Sequence, residues 1–215
     1  VVTVTTGWLQ ASVGSGRYVA GVICPSCRRA GGRGLCDRCR GALRAGCERL
    51  LPGGILVRSA FRHEGPARLL VHRLKYEGVV VPAALLAADL VEFLPRSATA
   101  IVHVPRAPAR RWRYGVDPAV ELAGALAART GVPVLAALRG DWWHRRRAGG
   151  RDAPRGSPRV RATAAIPAGS VLIDDVITTG TTLQAAGRAV PGIRLALTAT
   201  TAGPRGQGAT RYSGS

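Results

Sequence analysis

Short apolar runs along the chain alternate with segments in which apolar residues recur at helical spacing. Residues 55–61 read as a strand, entered through the breaker Pro52-Gly53-Gly54. Over 66–76, Leu69, Leu70, Val71 and Leu74 keep a helical spacing that Gly78 stops. A second helix is predicted over 82–94, with Pro82 in its first turn where a missing N–H does no harm. Residues 100–104 form a buried strand ending at Pro105. Asp117-Pro118 pairs an N-cap acceptor with a residue whose φ is already helical, and Gly131 supplies a stop, so a helix is expected over 118–130. Further strands are expected at 132–138, 171–173 and 193–200, and a helix over 181–190 ahead of Pro191-Gly192. Residues 40–51 read as a short helix ending at Pro52, and residues 1–22 carry no strong pattern. Strands alternating with helices imply an α/β fold with a parallel sheet flanked by helices.

Composition bounds the partners. At 215 residues the chain holds one ordinary domain and a small appendage. Its 47% hydrophobic content supports a sizeable core. The most apolar stretch, 79–94, is interrupted by Pro82, Asp89 and Glu92, so no membrane span is expected. No basic segment followed by an apolar run opens the chain, and a cytoplasmic location is the expectation. The net charge is +19, and of 31 basic residues all but Lys75 are Arg. GC-rich coding accounts for Arg in place of Lys but not for the excess of basic over acidic residues. An anionic partner is therefore expected, either a small polyphosphate or a polymer.

Residues 171–182 carry the most specific chemistry. An apolar run leads to Asp174 and Asp175, then Val176-Ile177, then Thr178-Thr179-Gly180-Thr181-Thr182 opening a helix. Acids at the end of a buried strand project into the crevice where open α/β sheets bind ligands. Gly180 permits positive φ or close backbone approach. Backbone N–H groups, Thr hydroxyls and the helix dipole suit a phosphate monoester. Acids beside a phosphate cradle match a ribose 5-phosphate, whose hydroxyls donate to carboxylates. The stretch resembles, at every position, the phosphoribosyl pyrophosphate (PRPP) signature of type I phosphoribosyltransferases.

Cys24-Pro25-Ser26-Cys27 and Cys36-Asp37-Arg38-Cys39 are two knuckles of metal-ligand spacing. Two such pairs complete a tetrahedral structural Zn2+ site, a reading preferred to disulfides for a cytosolic chain. Cys47 lies outside the pattern. The expected organisation is a segment 1–52 bearing this module, a main domain over 53–200 and a loose Gly/Ser/Thr-rich tail over 201–215.

Two basic loops stand apart. Pro105 to Asp117 carries Arg106, Arg110, Arg111 and Arg113 after a strand, and reads as a pyrophosphate-binding loop in preference to a solvated charge run. The long loop 139–161 holds eight Arg and reads equally as a lid over a polyphosphate or as a solvated charge run. Trp142 and Trp143 within it either stack nucleic-acid bases or pin the loop to the core. His63, His72 and His103 read as satisfied structural histidines.

In order, the four-Cys knuckle, the Glu64-Gly65-Pro66 to Leu74-Lys75-Tyr76 element ending at Gly78, the Pro105 loop and the PRPP signature resemble the ComF family over roughly residues 20–200. That family includes competence-associated ComF and GntX-type proteins. The resemblance implies a type I phosphoribosyltransferase-like domain with an N-terminal zinc module. It implies that Asp174 and Asp175 are the catalytic pair orienting the ribose diol. Thr178, Thr179, Gly180, Thr181 and Thr182 would bind the 5-phosphate, and Lys75, Arg106, Arg110 and Arg113 would hold Mg2+-pyrophosphate. It also implies a link to DNA uptake or processing, through single-stranded DNA and DNA-uptake or helicase proteins. The alternative is an active phosphoribosyltransferase of nucleotide salvage or synthesis; a weaker third is a regulator with a vestigial pocket. Two departures stand out. Tyr114-Gly115-Val116-Asp117 replaces the family's Arg-Gly-Phe-Asn, leaving Arg113 as the nearest substitute. The lid also lacks the family's Gln and Leu.

Overall fold

A computed structural model of the chain describes residues 23–30, 34–105, 115–140 and 159–202. Its strands are β1 (Glu48–Leu51), β2 (Ile55–Arg62), β3 (Ile101–His103), β4 (Val134–Leu135), β5 (Leu138–Gly140), β6 (Val160–Ala162), β7 (Val171–Ile177) and β8 (Leu195–Thr201). The helices are α1 (Asp37–Gly41), α2 (Gly65–Tyr76), α3 (Val81–Leu90), α4 (Pro118–Thr130) and α5 (Thr181–Ala189). A six-stranded sheet runs in the order β1-β2-β8-β7-β3-β4, parallel throughout except for the β1–β2 pair at one edge. β5 and β6 form a separate antiparallel ribbon. The expected α/β architecture is the one observed.

Both sheet faces are covered, which is why the central strands read as continuous apolar runs. Leu70 and Leu74 of α2, Leu86 and Leu90 of α3, and Leu122 and Leu126 of α4 pack with Ile101, Val171, Ile173 and Leu197 in one cluster. Leu183 and Ala186 of α5 pack with Val57, Val102, Leu172 and Ala196 in a second. Helix α4 begins and ends where its signals place it. The Asp117 Oδ1 accepts the N–H of Ala119 at 3.2 Å, and Gly131 closes the helix at φ 74°.

Several elements differ from expectation. No helix spans 40–51: α1 ends at Gly41, and residues 48–51 form edge strand β1. The segment instead pairs with β2, Gly46 donating its N–H to the Ala60 carbonyl and Cys47 accepting that of Ser59, and a Cβ on Gly46 would lie 2.0 Å from the Ser59 carbonyl oxygen. The helix expected to reach residue 94 gives way to a 3-10 turn over Val91–Phe93. The strand expected over 132–138 is divided between β4 in the main sheet and β5 in the ribbon. Strand β7 runs four residues beyond the expected 173, so both aspartates lie within it. No helix among the described residues is long and apolar enough to cross a membrane.

Candidate functional site

The parallel strands β2, β8, β7 and β3 share one carboxyl edge, the usual ligand side of an open α/β sheet. There β7 turns through Thr178, Thr179 and Gly180 into α5, and Asp174, Val176 and residues 177–183 line a concavity. Gly180 is required on two grounds. Its φ is 82°, and a Cβ would lie 2.7 Å from the Leu51 Cδ2 atom of β1. The hydroxyls of Thr179 and Thr181 lie 3.2 Å apart, and the Gly180 carbonyl accepts the N–H of Gln184, the start of the α5 ladder. Among the described residues the N–H groups of Thr179, Gly180, Thr182 and Leu183 take no protein acceptor. A loop of bare N–H groups at a helix start is a cradle for an anion.

The two acids have different surroundings. Asp174 lines the concavity, and its Oδ1 accepts the N–H of Asp175 at 2.8 Å. Burial pushes its carboxyl well above the usual carboxylate range, and the neighbouring charge of Asp175 adds to this, while the Asp175 N–H and Lys75 oppose it. Asp175 is itself buried and pairs with Lys75 of α2, Nζ to Oδ1 3.1 Å. The Thr200 hydroxyl donates to the Asp175 carbonyl oxygen at 3.4 Å, and His63 Nδ1 lies 2.9 Å from the same hydroxyl. The Thr200 hydroxyl thus links the His63 ring to the backbone of the acid strand. Burial, then Lys75 and Arg68, lower the His63 pKa, so the ring is held neutral beside the acid strand.

The raised carboxyl has a measurable consequence. Its native pKa lies above the unfolded value, so the native state binds the extra proton and stability falls as pH rises between the two values. Asp174→Asn is expected to stabilise the protein at neutral pH by on the order of 1 kcal/mol, with no gain below about pH 4. Chemical denaturation at the two pH values checks this; an equal gain at both would mean the effect is not electrostatic.

The knuckle cysteines converge. Sγ atoms of Cys24, Cys27, Cys36 and Cys39 all lie within 4.8 Å of one another, and Cys27 and Cys36 are 3.7 Å apart. A tetrahedral Zn2+–thiolate site has Sγ···Sγ edges of about 3.8 Å, so the donor set fits in number, chemistry and spacing. None of the four is in a disulfide. Burial raises the Cys24 thiol, but N–H groups of Cys27, Cys36 and Ser26 outweigh it and bring the pKa to about 6. Burial and the neighbouring thiols push Cys39 up to about 12. Four thiols at this spacing form a donor set that a divalent cation completes. The module docks on α2: Arg73 Nη2 donates to the Ser26 carbonyl at 2.9 Å, and Arg28 pairs with Glu77 at 2.6 Å.

Of the residues singled out from sequence, the acid pair, the Thr-Gly loop and Lys75 come together, and the four cysteines form their own cluster. Lys75 pairs with Asp175. Arg106, Arg110, Arg113, Trp142, Trp143 and most of the long Arg-rich loop lie outside the described residues. Sequence reading missed Leu51 and Arg49 on β1, which touch the loop from a distant part of the chain, and gave His63 no place near the acids. His72, read as structural, lies exposed against Tyr76, ring centroids 4.8 Å apart.

No protein-family model matches the chain, and no curated protein matches it. Among solved structures it is similar to orotate phosphoribosyltransferase from Aeropyrum pernix, at 21% identity over 74% of this chain and 75% of that one, with a TM-score of 0.33.

Proposed function

We propose that this protein binds PRPP, with Mg2+ arriving as part of the substrate. The observation that carries the reading is that Asp174 and the N–H-lined loop 178–182 open into one concavity at the carboxyl edge of the sheet. In this reading the loop holds the 5-phosphate, Asp174 accepts from a ribose hydroxyl once ionised, and Lys75 pairs with Asp175 and holds it in place. If transfer follows, an acceptor nitrogen attacks the anomeric carbon as pyrophosphate leaves. The protein then contributes position and field without a covalent nucleophile. The cysteine cluster is read as a structural Zn2+ site.

The net charge of +19 favours a second, ComF-like role in which basic surfaces hold single-stranded DNA. One pair of titrations separates these readings. The parent is expected to bind PRPP with Mg2+, and Asp174→Asn/Asp175→Asn to lose at least about ten-fold, since the charged acceptor for the ribose hydroxyl and the partner of Lys75 are both removed. A parent that binds no PRPP sinks the first reading. Single-stranded DNA affinity that is negligible even at low salt sinks the second, because a basic surface binds most tightly there.

A further inference from the structure

We propose that Arg49 is a positioning residue for loop 178–182, holding the peptide N–H groups of Thr179 and Gly180 toward the bound phosphate; this rests on reading that loop as a phosphate cradle. Arg49 lies on β1, the antiparallel edge strand, and not on any element of the PRPP signature. Its guanidinium Nη1 donates to the Thr178 carbonyl at 2.8 Å and its Nη2 to the Thr179 carbonyl at 3.4 Å. In a trans peptide the carbonyl and the following N–H point in opposite directions, and no peptide bond among the described residues is cis. Fixing the carbonyls of Thr178 and Thr179 on Arg49 therefore turns the N–H groups of Thr179 and Gly180 away from β1. Neither N–H takes a protein acceptor among the described residues, so both remain for an anion.

The same strand acts twice. Two residues along β1, Leu51 is buried against Gly180, where a Cβ would lie 2.7 Å from its Cδ2 atom. Leu51 thus sets the depth of the loop while Arg49 sets its peptide planes. A planar guanidinium suits this task because two donors in a rigid fork constrain two successive carbonyls, which an ammonium cannot do with equal precision. Arg49 also places a positive charge behind the cradle without occupying it.

The test uses the full chain with two probes, inorganic phosphate followed through the amide resonances of Thr179 and Gly180, and PRPP with Mg2+ followed by calorimetry. Arg49→Ala is expected to weaken both by about ten-fold and to move those two amide resonances in the free protein. Arg49→Lys is expected to recover part of the affinity but not the free-state resonances. Arg194→Ala removes a cation that contacts the β1–β2 turn at the Gly53 carbonyl and is expected to bind as the parent does. The proposal is overturned if Arg49→Ala binds like the parent, or if its loss disappears at high salt as a general charge effect would. It is also overturned if PRPP binds without moving the two amides. If phosphate moves them in the parent but PRPP does not bind, the PRPP reading fails and the role of Arg49 stands. If neither probe binds, both fall.

Discussion

Replacing Cys39 with serine is expected to strip the protein of one equivalent of zinc and to lower its thermal midpoint by roughly 10 °C or more. The magnitude follows from where the cluster sits. Cys24 and Cys39 are buried in the same apolar cluster as Leu70 and Leu74 of α2 and Leu86 of α3. The module is thus a wall of the main core, fixed to α2 by Arg73 and Arg28. Without a cation, thiols this close and this buried must stay protonated or bear an uncompensated charge. Cys47, which stands apart from the cluster, serves as the control: Cys47→Ser should keep both metal content and melting temperature. Elemental analysis with thermal melts before and after chelation decides the matter. A Cys39→Ser protein that retains the metal, or a parent that melts unchanged after chelation, would rule out a structural zinc site.

Lys75→Met is expected to cost about 2 kcal/mol of stability, between the small value of an exposed ion pair and the larger penalty of stranding a buried charge. The position justifies an intermediate figure, because the Lys75 side chain is 23% exposed and that of Asp175 only 11%. Asp175→Asn removes the charge that Lys75 neutralises, so the double variant should be little less stable than Asp175→Asn alone. Denaturant unfolding of the four proteins measures the coupling, and strictly additive losses would show that the pair is only a contact. Lys75 also lowers the Asp174 pKa, so its loss should move the pH at which ligand binding sets in upward. The sign is fixed by chemistry: a cation removed from beside a carboxyl makes its ionisation harder.

Much of this was legible before any coordinates. Helix α4 carries its own start and stop in Asp117, Pro118 and Gly131, all local signals, and the structure follows them. The apolar run, acid pair and Thr-Gly loop were readable because cradle, turn and helix start are contiguous in sequence. Strand β1 was not readable. Four residues are too few for periodicity to separate strand from helix, and what makes them a strand is their pairing with β2, a contact no local signal carries. Lys75 was conspicuous as the sole lysine, yet nothing local shows that its partner lies a hundred positions on. Arg49 carried no signal at all, being one arginine among many whose meaning depends on a strand pairing.

The fastening of loop 178–182 also bears on how the molecule comes together. The bonds from Arg49 to the Thr178 and Thr179 carbonyls span 129 and 130 residues, and the Ser59–Thr198 hydroxyl pair spans 139. Closures of that length cost chain entropy before any contact compensates, so they belong to the late, slow part of folding. The chain therefore completes loop 178–182 only when β1 has met β7 and β8. In a chain growing from the ribosome, the loop's own residues emerge long after the strand that holds them, so the loop's assembly waits on the C-terminal third of the protein.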